Sequence, residues 1–111
     1  MRLQLLTFVA LGCLFAALAL PLIHRLVPPN PFYGFRVRST MRNADLWYPA
    51  NRRAGWLLLV AGLVDVVLAL ALYIPLRHQP SVYVLANVGV LLVTTLAAAV
   101  LSFIYLHRID R

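Results

Sequence analysis

The sequence contains no lysine and no glutamate, and its only acidic side chains are three aspartates. The single cysteine, Cys13, excludes an internal disulfide. The chain has no phosphate-binding glycine loop, no cysteine and histidine cluster and no nucleophile paired with a base, and His24, His78 and His107 are far apart. We therefore expect no enzymatic activity and no metal or cofactor.

Charge is also missing from three long stretches. Apart from one aspartate, residues 3–23, 54–76 and 79–106 carry no charged side chain, and 63% of the whole chain is hydrophobic. About 20 residues, at a rise of about 1.5 Å each, cross the roughly 30 Å core of a bilayer. Peptide groups in lipid must be hydrogen-bonded within their own segment, so each stretch is predicted to be a helix. The sequence thus predicts an all-α membrane protein with one module, residues 1–111, and transmembrane helices at about 3–24, 54–76 and 81–106.

Every basic residue is arginine, and the arginines lie mainly on one side of the predicted membrane. Most fall between the first two spans or after the third, at Arg25, Arg36, Arg38, Arg42, Arg52, Arg53, Arg108 and Arg111, whereas only Arg2 and Arg77 fall on the other side. Short basic loops stay in the cytoplasm. We therefore predict a cytoplasmic loop at residues 25–53, here called the motif segment, with a cytoplasmic C-terminus and an outer N-terminus.

The same charge distribution indicates whether the first span is cleaved and what the arginines bind. A basic start followed by an apolar run is also typical of a signal peptide, but cleavage would leave the motif segment outside, so an uncleaved helix is expected. Arginines at the membrane surface are expected to meet anionic lipid headgroups rather than nucleic acid.

One charge interrupts the apolar spans, at Asp65 near the centre of the second. A carboxylate at this depth is costly unless it is paired or protonated. By depth, Thr94 or Thr95 is the expected hydrogen-bond partner, and a proton-relay role is the alternative. Small residues such as Gly12 and Ala16 are spaced to form a helix-packing or dimer seam, which leaves a homo-oligomer open.

The motif segment has more pattern than a connector requires. Its start, Val27-Pro28-Pro29-Asn30-Pro31, cannot be helical. Gly34 then permits a turn with positive φ. Further on, Asn43 or Asp45 is the expected N-cap of a helix, with Pro49 within about its first turn.

This pattern resembles the SdpI/YfhL family. The resemblance is carried by Asn30, Tyr33-Gly34-Phe35-Arg36, Thr40-Met41-Arg42-Asn43, Trp47, Ala50-Asn51 and Gly55. The chain departs from the family pattern at Val37, Thr40 and Arg42, where family members usually carry threonine, serine and lysine. The loss of a hydroxyl at Val37 removes any hydrogen bond that it would make.

The resemblance implies an immunity protein of the bacterial inner membrane, which protects cells against a small secreted peptide toxin that collapses the membrane potential. Some family members also sequester a cytoplasmic transcription repressor. The candidate partner-binding residues implied in this way are Asn30, Tyr33, Gly34, Arg36, Thr40, Met41, Asn43, Trp47, Asn51 and Gly55. The alternative is a small accessory subunit that packs against a larger transporter or respiratory complex.

Overall fold

The computed structural model describes residues 2–110 and is all-helical. Its helices are α1 (Arg2–Ile23), α2 (Arg38–Arg42), α3 (Ala44–Tyr73) and α4 (Pro80–Ile109). Three of them, α1, α3 and α4, are long and apolar enough to cross a membrane. The predicted fold class, an all-α membrane protein with three spanning helices, is confirmed.

Helix α3 begins at Ala44, so the helix predicted to follow Asn43 and the span predicted from residue 54 form one continuous helix. The Asn43 side chain caps it by accepting a hydrogen bond from the Asp45 amide at 2.9 Å, as its N-cap position predicted. The first three turns carry Trp47 and Asn51 on a buried side and Arg52 and Arg53 on an exposed side. Hydropathy alone locates only the apolar part of such a helix. With α2 included, just over half of the motif segment is helical and not loop.

The other boundaries also differ a little from the prediction. Helix α3 ends at Tyr73 instead of residue 76, and α4 runs from Pro80 to Ile109 instead of 81–106. Proline is favoured in the first turn of a helix, where its missing N–H has no partner to lose. Pro49 lies in the second turn of α3.

Helix α3 is the centre of the bundle, because it packs against both α1 and α4, while α1 and α4 contact each other little. The α1 and α3 backbones approach closely at Gly12 and Gly62. A Cβ on Gly12 would lie 2.7 Å from the Gly62 carbonyl oxygen, so only glycine permits this crossing. The Gly12 and Ala16 seam is therefore occupied by α3 of the same chain.

The two ends of the bundle are built differently. At the turn end, where residues 74–79 join α3 to α4, the Phe8 ring of α1 meets the Tyr83 ring of α4 edge to face at 6.0 Å. The Tyr83 hydroxyl also donates to the Ala69 carbonyl at 2.8 Å. At the opposite end, here called the loop end, the α1–α2 loop (residues 24–37) contacts both α1 and α4 and takes the place of their direct contact.

Candidate functional site

Asn30 organises the proline-rich part of the α1–α2 loop. Its Oδ1 accepts hydrogen bonds from the amides of Phe32 and Tyr33, at 2.9 and 2.7 Å. Its Nδ2 donates to the carbonyls of Pro28 and Tyr33, at 2.8 and 2.9 Å. The short amide side chain of asparagine has a separate donor and acceptor and can satisfy a turn in this way. Asn30 therefore sets the direction in which the next residues leave the turn.

The loop then turns back along the bundle. The Tyr33 hydroxyl donates to the backbone carbonyl of Leu18 in α1. Leu18 lies five residues before the end of α1, which corresponds to about 7.5 Å along the helix axis. A tyrosine hydroxyl is protonated and able to donate at neutral pH, and burial raises the pKa of Tyr33 further. Tyr33 thus reaches back to the level of the spanning helices.

Gly34 and Asn51 fix the next step. Gly34 has φ +114°, a conformation that favours glycine, and a Cβ there would lie 2.7 Å from Asn51 Oδ1. With that space open, Asn51 Oδ1 accepts from the Phe35 amide at 2.5 Å. Asn51 Nδ2 donates to the carbonyls of Trp47 and Phe35, at 3.0 and 3.4 Å. The loop backbone is thereby held by the amide of one buried α3 residue.

Two further buried side chains hold the two ends of this loop. Trp47 is fully buried and its indole N–H donates to the Val27 carbonyl at 2.7 Å. Thr40, also fully buried, donates to the Phe35 carbonyl at 2.8 Å and accepts from the Val37 amide at 3.0 Å. Val37 is the N-cap of α2 but makes no side-chain cap hydrogen bond, so its hydrogen bonds here are made by its backbone.

The remaining motif residues differ in exposure. Gly55 is buried, and a Cβ there would lie 3.0 Å from the Ala19 carbonyl of α1. Arg36 is exposed and its guanidinium donates to the Pro31 carbonyl. Met41 and Asn43 are also exposed. The structure thus brings Asn30, Tyr33, Gly34, Thr40, Trp47 and Asn51 into one bonded network. It leaves the motif residues Arg36, Met41, Arg42 and Asn43 exposed.

The network also forms one wall of an apolar cavity of about 290 Å³. Tyr33, Gly34 and Phe35 line it on the loop side, and small residues of α4 line it on the other. The Phe35 ring meets the Phe103 ring of α4 edge to face, with centroids 5.0 Å apart. The remaining lining residues are Leu22, Ala54, Leu58, Thr95, Ala98, Ala99 and Ser102. Phe103 and Ala99 are exposed, so the cavity reaches the lateral surface of the bundle.

Asp65 belongs to a separate polar pair in the middle of the bundle. It lies about 21 Å along α3 from Asn51, and it is only 3% exposed. The Thr94 hydroxyl donates to Asp65 Oδ1 at 2.9 Å. Of the two partners predicted from depth, Thr94 or Thr95, the structure therefore shows Thr94. The second oxygen, Oδ2, has no hydrogen-bond partner among residues 2–110.

Two contacts of the network were missed by the sequence analysis. The ring pair of Phe35 and Phe103 joins residues far apart in sequence, and no local pattern links them. The acceptor of the Trp47 indole is a backbone carbonyl, which any residue at position 27 supplies. The sequence did offer one signal, a tryptophan in an arginine-rich segment. If that tryptophan is buried, its indole N–H needs a hydrogen-bond partner.

These features define a multi-pass α-helical membrane protein in which a hydrogen-bonded loop packs between the first and last spanning helices. The family model described as the SdpI/YfhL protein family matches residues 26–106, which include the whole network and two of the three spans. The chain belongs to the SdpI/YfhL family. Comparisons with curated proteins and with solved structures gave no significant match.

Proposed function

We propose that this protein is an immunity or resistance protein of the bacterial inner membrane, which protects against a secreted, membrane-active peptide toxin. The observation that carries the proposal is the family match over residues 26–106. The matched region contains every residue of the loop network, from Asn30 to Asn51. Family membership supports a membrane immunity role.

The proposed orientation puts the loop end in the cytoplasm and the N-terminus outside. It rests on the positive-inside tendency of arginine in short loops. The loop end carries Arg25, Arg36, Arg38, Arg42, Arg52, Arg53 and Arg108, whereas Arg77 lies in the turn at the opposite end. In this orientation the arginines meet the anionic headgroups of the inner leaflet, each contributing about 1 kcal/mol to membrane attraction.

The apolar cavity beside the network is the proposed place of toxin contact. A membrane-active peptide reaches its target from within the bilayer, and the cavity opens to the lateral surface of the bundle beside Phe103. Its size suits one or two large apolar side chains, and Tyr33 and Phe35 offer aromatic edges to them. Occupation of the cavity would press on the network that Asn51 holds.

The exposed part of the motif segment supports a second step, capture of a cytoplasmic repressor. Phe32 is 87% exposed and Met41 is 43% exposed, while Arg36 and Arg42 are exposed nearby in sequence. Exposed aromatic and sulfur-containing side chains next to arginine are typical of protein contact surfaces. A toxin that moves the α1–α2 loop would thereby change this surface.

The membrane potential of a sensitive bacterium tests the proposal. Cells that express the wild-type chain are challenged with candidate toxin peptides while a potential-sensitive dye is read. We expect a preserved potential with the wild-type chain. We expect its loss with Arg36→Ala, which removes an exposed motif side chain, and with Ala98→Phe, which fills the cavity. Arg77→Ala, which removes an arginine from the other end, is the matched control and should still protect.

Two outcomes would count against immunity. The first is equal collapse of the potential with and without the inserted wild-type chain over the whole peptide panel. The second is extraction in mild detergent only as part of a larger complex, which would favour the accessory-subunit role instead.

A further inference from the structure

Three arginines converge on one cavity at the loop end, outside the loop network. The cavity has a volume of about 300 Å³ and is lined by Arg25, Arg52, Arg53, Trp56 and Tyr105, together with Pro49. None of these residues is acidic, so the cavity wall offers the guanidinium groups no carboxylate. The Arg53 guanidinium lies over the Tyr105 ring, 5.3 Å from its centroid, which holds it in place by a cation–π contact. Such a cavity is suited to an anion.

The backbone at Arg25 is strained. Arg25 has φ 58°, in the left-handed region, directly after α1. The Leu26 amide donates to the Pro21 carbonyl at 2.9 Å, which is the hydrogen bond of a Schellman helix end. Glycine is the preferred residue at this position, and a non-glycine residue there is unfavourable. The chain carries an arginine at a place where its own stability would favour glycine, and that arginine faces the cavity.

A groove lined almost entirely by apolar residues lies one helix turn further along α3 and α4. Leu57 lies one turn beyond Arg53 on α3, and Leu101 lies one turn from Tyr105 on α4, so each pair shares a helix face. Leu57 and Leu101 line a second cavity, of about 140 Å³, with Val60, Val64 and Ala97. The arginine cavity and the apolar groove thus follow one another along α3 and α4.

We propose that one anionic phospholipid binds at this place, with its phosphate on Arg25, Arg52 and Arg53 and one acyl chain in the groove between α3 and α4. Charge complementarity supports this occupant, because three guanidinium groups share the cavity wall with no acid. Its position supports a lipid, because Trp56 and Tyr105 are the aromatic residues expected at headgroup level. This inference concerns a different face of α3 from the one that holds the loop network, and it does not rest on the proposed function.

Native mass spectrometry of the purified full chain tests the site. The protein is released from mild detergent after incubation with equal amounts of phosphatidylglycerol and phosphatidylcholine, and the ratio of the two bound lipids is read. We expect one retained phosphatidylglycerol for the wild type. The double variant R52Q/R53Q should lower the ratio about tenfold or more, because it removes two of the three arginines that line the cavity and the loss of one hydrogen bond to a charged group already costs about that factor. The control R38Q/R42Q removes the same charge from α2, whose residues do not line this cavity, and should lower the ratio far less.

Two single substitutions separate the parts of the site. Arg25→Gly should lower the lipid ratio while leaving the melting temperature unchanged or higher, a combination that a structural role for the side chain does not produce. Ala97→Phe should block the groove with all arginines intact, and Leu92→Phe on the exposed face of α4 is its control. Equal losses in R52Q/R53Q and R38Q/R42Q would overturn the proposal, because attraction would then follow net charge alone. Unchanged retention in Ala97→Phe would overturn the placement of the acyl chain.

Discussion

The Asn51 side chain holds the Phe35 backbone at both its polar groups, with Oδ1 accepting from the Phe35 amide at 2.5 Å and Nδ2 donating to the Phe35 carbonyl at 3.4 Å. Asn51 of α3 is thus joined to a loop residue that precedes it by 16 positions in the sequence. Asparagine is suited to the position because the loop backbone at Phe35 presents both a donor and an acceptor.

Replacement of Asn51 should release the loop. Asn51→Leu keeps a side chain of similar size but leaves the Phe35 amide without its partner, and the cost is expected to be about 2–3 kcal/mol. Thermal unfolding in detergent would show the loss, and limited proteolysis should show new cleavage within residues 24–37. Asn87→Leu is the matched control, because Asn87 is also buried but donates to the Tyr83 carbonyl at 2.9 Å near the turn end. Proteolysis of the loop to the same extent in both variants would contradict the role given to Asn51.

Gly34 should not tolerate even one added methyl group. Gly34→Ala places a Cβ at φ +114° and 2.7 Å from Asn51 Oδ1, so the loop must move away from α3. A loss of about 1–3 kcal/mol is expected from the backbone conformation alone. The same substitution at Gly89 meets no atom within 4 Å among the described residues, and alanine there should be neutral or stabilising because it favours the helix. Melting temperatures of the two variants check the difference, and equal values would refute it.

The spanning helices could be predicted from the sequence because lipid imposes a simple rule on them, an apolar run of sufficient length. The N-cap at Asn43 was also predictable, since capping depends on residues adjacent in sequence. The start of α3 at Ala44 was not found by hydropathy, because its first turns are amphipathic and bury Trp47 and Asn51 against the chain itself. The direction of the loop depends on contacts such as that of Tyr33 with Leu18, which join distant residues and have no local signal.

The hydrogen bond between Asp65 and Thr94 should add little to the free energy of unfolding. Removing only one of the two partners should nevertheless destabilise the protein, because the other is left unpaired. Thr94→Val leaves Asp65 Oδ1 without a partner in a segment where its Oδ2 already has none among the described residues. Interhelical hydrogen bonds in membranes contribute about 0.6 kcal/mol on average and at most about 1.7. A double-mutant cycle with Asp65→Leu and Thr94→Val should give a coupling energy in this range. The doubly substituted protein should be close to wild type in stability, because no polar group is then left unpaired.

A proton-relay role for Asp65 makes a different prediction for Asp65→Asn. Asparagine keeps an oxygen that accepts from Thr94 but cannot ionise. The structural interpretation expects unchanged protection against the toxin and unchanged melting temperature. Loss of protection with normal stability would favour the relay.

The orientation can be tested with single cysteines in a Cys13→Ala background. Arg38 and Arg77 are both exposed and lie at opposite ends of the bundle, so a cysteine at either position is accessible to a polar thiol reagent from only one side of the membrane. With the loop end in the cytoplasm, an impermeant maleimide added to intact cells should label Arg77→Cys and not Arg38→Cys. Permeabilised cells should show labelling of both, which controls for reactivity. The reverse pattern in intact cells would place the arginine-rich end outside, against the tendency of arginine to remain in the cytoplasm. It would contradict the proposed contact with a cytoplasmic repressor and would move the anionic lipid site to the outer leaflet.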